Sequence, residues 1–148
     1  MNSFSPTGRP RPNFHSLCKP DIDCKSDEKI FVSNYTCTNE SRWLSRNSNQ
    51  SFFSGHSSLG TYSAFFLIFY LNDKLRIDAL PKAHLFSVIF MLGLLPGLTQ
   101  YKNFWHFASD VLVGDVIGIL LALFIYYGVR GLQKSSSYIN LKSSKTTS

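Results

Sequence analysis

Two histidines in this chain stand where nucleophilic or acid–base chemistry could be done. His106 and Asp110 lie four residues apart in Trp105-His106-Phe107-Ala108-Ser109-Asp110. At the start of a helix that spacing puts both on one face, where the carboxylate can accept from the ring Nδ1–H. Such a contact fixes the tautomer and leaves Nε2 as a free lone pair, as a nucleophile or base requires. The same pair also reads as a helix-entry His with an N-cap Asp. A second imidazole, His56, sits in Phe52-Phe53-Ser54-Gly55-His56-Ser57-Ser58. Its neighbour Gly55 lets backbone N–H groups approach an anion closely. The plainer reading is a Ser/Gly-rich helix start with an interfacial His. Two His and one Asp could also hold zinc, but the H-E-x-x-H pattern is absent and anion-type donors lie alongside, so no metal site is assigned.

Both stretches open apolar runs, and those runs must position them. With 148 residues the chain is one domain or less. Its near-zero mean hydropathy hides a segregation, because the apolar residues lie almost wholly between 52 and 132. Three runs stand out: Phe52 to Leu71, Ala83 to Leu98, and Val111 to Val129. The first is long enough to span a bilayer if its Ser-Gly-His-Ser-Ser start lies at the interface, and the second is at the lower limit. The third is the clearest, with Asp115 as its only charge. All three are apolar on every face, which fits amphipathic soluble helices poorly. The sequence predicts an all-α membrane bundle of three spans.

Charge sets the orientation. The 72–82 connection carries Lys74, Arg76 and Lys82, and the Lys- and Ser-rich tail after Arg130 reads as disordered. The 99–110 connection has only Lys102. The positive-inside rule then puts the tail and the 72–82 loop in the cytosol, and residues 1–51 with 99–110 on the opposite side. Cys18, Cys24 and Cys37 share that side with three N-glycosylation patterns, at Asn34, Asn39 and Asn49. Clustered cysteines and sequons favour an oxidising compartment. One disulfide plus one thiol is the simplest arithmetic, with the pairing open. Residues 1–51, rich in Pro, are expected to be mostly loop, and 1–13 lack the apolar run of a signal peptide. The domain reading is 1–51 extracytoplasmic, 52–132 membrane core, 133–148 cytosolic tail. A net charge of +6 without a basic stripe argues for anionic headgroups as partner rather than nucleic acid.

Arg11-Pro12-Asn13-Phe14, the Ser54-Gly55-His56 stretch, and His106 with Asp110 followed by Val111-Leu112-Val113-Gly114 together resemble the three-part site of the lipid phosphate phosphatases. These belong to the type 2 phosphatidic acid phosphatase and vanadium haloperoxidase superfamily. The resemblance covers about residues 8–132, in the right order. It implies a six-span fold of which this chain has roughly the last three, and a phosphomonoesterase needing no metal or other cofactor. His106 would form a phosphohistidine with Asp110 holding the ring, and His56 would protonate the leaving alkoxide. Arg11, Ser54, Gly55, Thr99 and Gln100 would bind the phosphoryl group. The implied substrates are phosphatidate, lysophosphatidate, sphingosine 1-phosphate or ceramide 1-phosphate, met at the outer face of the plasma membrane or a luminal face. A homo-oligomer is left open.

Two positions depart from the pattern. Where the family has a Lys seven residues before the Arg, this chain has Phe4. Where its third motif begins Ser-Arg, this chain has Thr99-Gln100. Gln keeps donors but lacks the fixed charge and the fork. Arg9 or Lys102 is the expected substitute for the missing charge. The competing reading is a weak or inactive relative that binds lipid phosphates or membrane partners.

Overall fold

The computed structural model describes residues 8–22 and 35–146, with side chains as far as 133. Phe4, Cys24 and Asn34 lie outside the described residues. Among the described residues the fold has five helices: α1 (Phe14–Cys18), α2 (Arg42–Asn47), α3 (Gly55–Lys74), α4 (Ala79–Lys102) and α5 (Ala108–Thr146). Among the described residues strand pairing is limited to one bridge, Pro20 with Cys37. The all-α expectation holds.

Helix α3 starts where Ser54 leaves helical geometry and its side chain accepts from the Ser57 amide, the N-cap device for an orphan donor. Twenty residues follow, about 30 Å of helix, enough for a hydrocarbon core. The link at 75–78 returns the chain as α4, and 103–107 returns it again as α5. Links this short make α3 and α4 antiparallel neighbours, so α3 and α5 run parallel. Their starts lie at one end of the bundle, together with residues 8–22 and 35–51.

Helix α3 is the middle element. It packs on both α4 and α5, which meet each other far less. Small residues make this possible. A Cβ added at Gly60 would lie 2.5 Å from the Gly93 carbonyl, and one at Gly114 would lie 2.5 Å from the Ser54 carbonyl. Membrane helices associate through such close backbone approach, since lipid supplies no hydrophobic drive between them. Toward the site end the bundle is polar inside, and its outer surface is apolar. Ser57, Ser58 and Thr61 are buried, while Leu80, Val88, Leu92, Leu112, Leu120 and Phe124 are exposed.

Two helices, Ala79–Lys102 and Ala108–Gln133, are long and apolar enough to cross a membrane. Helix α3, expected as a third span, has the length without the hydropathy. Its first turns are rich in Gly, Ser and Thr, and it sits between the other two with Ser57, Ser58 and Thr61 turned inward. Helix α4 outruns its expected bounds at both ends and passes through Pro96 without stopping. The connection expected at 99–110 therefore shrinks to 103–107, and Thr99 and Gln100 belong to the last turn of α4. Helix α5 continues to Thr146, where the sequence predicts an unstructured tail; no Gly or Pro follows Gly131 to stop it.

Residues 8–22 and 35–51 fold over the site end. A disulfide joins Cys18 to Cys37. The sequons at Asn39 and Asn49 lie in this cap, with the Asn39 amide donating to the Leu17 carbonyl at 3.0 Å and the Asn49 amide to the Tyr35 hydroxyl at 2.9 Å. Within the cap, Arg11 N–H donates to the Ser48 carbonyl at 2.8 Å and Ser51 N–H to the Arg9 carbonyl at 3.1 Å, while Asn13 N–H ties the cap to the bundle at the Phe104 carbonyl, 3.2 Å away. The first and third of the expected motifs meet through this last bond.

Candidate active site

His106 occupies the α4–α5 link and is only 4% exposed. Its Nδ1 lies 2.5 Å from the Ser51 carbonyl oxygen. A carbonyl only accepts, so Nδ1 must carry the proton and Nε2 must be the lone pair. That lone pair faces the Arg11 guanidinium, with Nη1 at 3.3 Å. Burial pushes the His106 pKa below the ordinary imidazole value, and the charges of Arg11 and His56 push it the same way. The Ser51 hydrogen bond and Asp110 oppose them without reversing the shift. The ring is therefore a neutral, oriented base near pH 7.

Arg11 is held as a fork. Nε donates to the Asn47 carbonyl at 2.7 Å and Nη1 to the Trp105 carbonyl at 3.0 Å, while the guanidinium carbon lies 5.0 Å from the Trp105 ring centre. Burial lowers its pKa from the ordinary guanidinium value, and Asp110 raises it. Arg11 thus presents a fixed positive charge to the Nε2 lone pair, an arrangement suited to receiving an anionic group. A guanidinium there is a poor neighbour for a divalent cation.

Asp110 is fully buried, yet it does not take the His106 Nδ1–H that the four-residue spacing offered it. Its Oδ1 accepts from Arg9 Nη1 at 2.5 Å, and its Oδ2 from the Ser51 hydroxyl at 2.5 Å and the Phe107 amide at 3.2 Å. Phe107 precedes the first residue of α5, so Asp110 reaches back to the cap amide as the third residue of a capping box does. It is a first-turn residue of α5 rather than the N-cap. Direct contact fails because His106 precedes the helix, where helical spacing no longer governs, and the Ser51 carbonyl has taken the ring proton.

The start of α3 completes the cluster. The Ser54 N–H donates to the Asp110 carbonyl at 3.0 Å, which joins α3 to α5 at their first turns. The Ser54 hydroxyl accepts from Ser57 Oγ at 3.0 Å and is buried, so this side chain caps the helix. Gly55 and His56 follow, exposed, their amides among the first-turn donors that a helix cannot satisfy internally. With the helix dipole they form an anion-binding end.

The expected residues Arg11, Ser54, Gly55, His56, His106 and Asp110 therefore assemble at one end of the bundle. Thr99 and Gln100, in the last turn of α4 at the same end, make no side-chain hydrogen bond to them among the described residues. The Thr99 hydroxyl bonds the Pro96 carbonyl within its own helix at 2.8 Å. Among the described residues, the Gln100 side chain makes no hydrogen bond to Arg11, His106 or Asp110. Lys102 is exposed at the end of α4. Arg9, which also reads as a solvated loop charge, is ion-paired to Asp110, donates to Ser109 Oγ at 2.9 Å and stacks on Phe107. Ser51 was not expected. The sequence marks it otherwise, as the hydroxyl residue of the Asn49 glycosylation pattern, three residues before Ser54.

A model of the PAP2 superfamily matches residues 5–134. The chain is 30% identical over 134 residues to phospholipid phosphatase 1 of Rattus norvegicus, an alignment covering 87% of this chain and 46% of that protein. It is 36% identical over 124 residues to phospholipid phosphatase 2 of Bos taurus, covering 78% and 40%. It is 28% identical over 140 residues to phospholipid phosphatase-related protein type 1 of Mus musculus, covering 88% and 43%. The chain thus spans less than half the length of these relatives. No solved structure matches.

Proposed function

The chain belongs to the PAP2 superfamily, and from that premise we propose that it is a membrane-embedded phosphatase that removes phosphate from lipid phosphates without a metal. The observation that carries this reading is His106. It is a neutral imidazole whose Nδ1–H is fixed on the Ser51 carbonyl and whose Nε2 lies 3.3 Å from a guanidinium. In the proposed reaction Nε2 attacks phosphorus and the ester P–O bond breaks. The leaving alkoxide takes a proton from the His56 imidazolium. Water then attacks the phosphohistidine, returning a proton to His56 and releasing inorganic phosphate. Arg11 and the first amides of α3 hold the phosphoryl oxygens, which gain charge in the transition state. Ser54 serves by capping that helix.

Substrates are lipid monophosphates of the phosphatidate, lysophosphatidate and sphingosine 1-phosphate class. The site faces the extracellular or luminal side, most consistently at the plasma membrane. The Cys18–Cys37 disulfide at the site end and the basic residues of the 72–82 loop support that orientation. In this reading residues 1–51 are the outer cap, 52–132 the membrane core and 133–148 the cytosolic tail.

The test is phosphate release from short-chain phosphatidate in detergent with a chelator present, comparing the chain with His106→Ala. Release that persists under chelation and vanishes in the variant is the expected result, with acid-labile label on wild-type protein after a radiolabelled substrate is quenched. Equal release from His106→Ala overturns the nucleophile. A second reading, a relative that binds lipid phosphates without hydrolysing them, is favoured by the uncharged Gln100 where the family pattern has Arg. Silence from protein shown to be folded, with retained binding to phosphatidate vesicles, would establish it instead.

A further inference from the structure

Asp110 and His106 share a site but not a hydrogen bond, and one residue touches both. Every polar atom of Ser51 is engaged. Its amide donates to the Arg9 carbonyl at 3.1 Å, its hydroxyl donates to Asp110 Oδ2 at 2.5 Å, and its carbonyl accepts the His106 Nδ1–H at 2.5 Å. Ser51 is fully buried, so water does not compete for these bonds. Arg9 closes the circuit by donating to Asp110 Oδ1 at 2.5 Å. From this geometry we infer that Ser51 is the positioning residue through which Asp110 acts on His106, with Arg9 compensating the buried carboxylate.

The inference deepens the phosphatase reading and rests on it. When Nε2 bonds phosphorus the ring becomes cationic, and its Nδ1–H bond to the Ser51 carbonyl strengthens. The hydroxyl bond to Asp110 holds that carbonyl in place and keeps a negative charge behind it. An interaction that strengthens as charge develops lowers the barrier rather than improving ground-state binding. Arg9 is consequently spoken for. It supports the circuit instead of replacing the absent charge at position 100.

Ser51→Val and Ser51→Thr, both made in unglycosylated protein because Ser51 also completes the Asn49 pattern, separate this role from packing, since both keep the carbonyl and differ by a hydroxyl at equal shape. Ser51→Val is expected to lower kcat about 10- to 100-fold with little change in KM, the loss of a hydrogen bond to a charged group. Ser51→Thr should restore most of that rate. In the Ser51→Val background Asp110→Asn should cost little further kcat, since the link it acts through is already cut. Equal rates for the Val and Thr variants, or costs that multiply in the double variant, overturn the inference. Should folded wild-type protein release no phosphate, the phosphatase reading fails while the positioning claim is still decided by nitrogen NMR of the His106 ring. A fixed Nδ1–H tautomer in wild type and Ser51→Thr that becomes mixed in Ser51→Val supports the circuit. Identical spectra in all three overturn it.

Discussion

Gly114→Ala should be disproportionately damaging for the smallest possible change. In an exposed helix interior, Gly→Ala gains about 0.5–1 kcal/mol from propensity. At Gly114 the new Cβ would stand 2.5 Å from the Ser54 carbonyl oxygen and 3.1 Å from Ser57 Cβ. Ordinary contact begins near 3.4 Å, so the starts of α3 and α5 must separate by about 1 Å, which overpacking data put at roughly 1–3 kcal/mol. The first obstacle is backbone, so no side chain can rotate away. The net expectation is a loss of about 1–2 kcal/mol after the propensity gain. Activity should suffer more than stability. Helix α3 carries His56 and the anion-binding amides, α5 carries Asp110, and a 1 Å displacement between catalytic groups can cost about 100-fold in rate. Gly128→Ala in the same helix is the control, since nothing lies within 4 Å of a Cβ there; it should melt at or above wild type with full activity. Thermal unfolding in detergent and phosphate release would be measured side by side. Should Gly114→Ala match Gly128→Ala in both, the close packing of α3 on α5 is not what positions the site.

Arg11→Lys should lower kcat/KM about 10- to 150-fold, because an ammonium cannot reach the Asn47 and Trp105 carbonyls together and still face Nε2; steady-state assays check it. The acid limb of kcat/KM should lie below the ordinary His value of 6.5, since burial lowers the His106 pKa. The same shift makes stability complete above that ordinary value and declining as pH falls from it through the lowered folded value, because the unfolded chain takes up the proton first. Melting of wild type and His106→Gln across that range would show it, with a flatter dependence in the variant. Replacing Cys18 and Cys37 by Ser opens a loop with a sequence separation of 19 and should cost about 3 kcal/mol. The wild-type melt should fall toward the variant's on reduction, whereas an unchanged melt would exclude the disulfide as a support of the cap.

What the sequence determined by itself was the inventory and the end of the bundle at which it gathers. Apolar runs with scattered small residues specify an all-α bundle in lipid, because only internally bonded backbone is tolerated there. Loop charges and cysteines place Arg11, Ser54, His56, His106 and Asp110 at one end without any knowledge of contacts. Helix ends were less legible: α4 runs through Pro96 to Lys102, so Thr99 and Gln100 left the loop in which they had been expected. The decisive pairings were not legible at all. Arg9 reaches Asp110 across a sequence separation of 101, and Ser51 reaches His106 across 55. Local spacing offered Asp110 to His106, and it would have been right had His106 lain inside the helix. The tertiary structure decided otherwise, because packing α3 against α5 brings Ser51 between them. Once a buried carboxylate and a buried imidazole each have a closer partner, hydrogen-bond satisfaction outweighs sequence proximity.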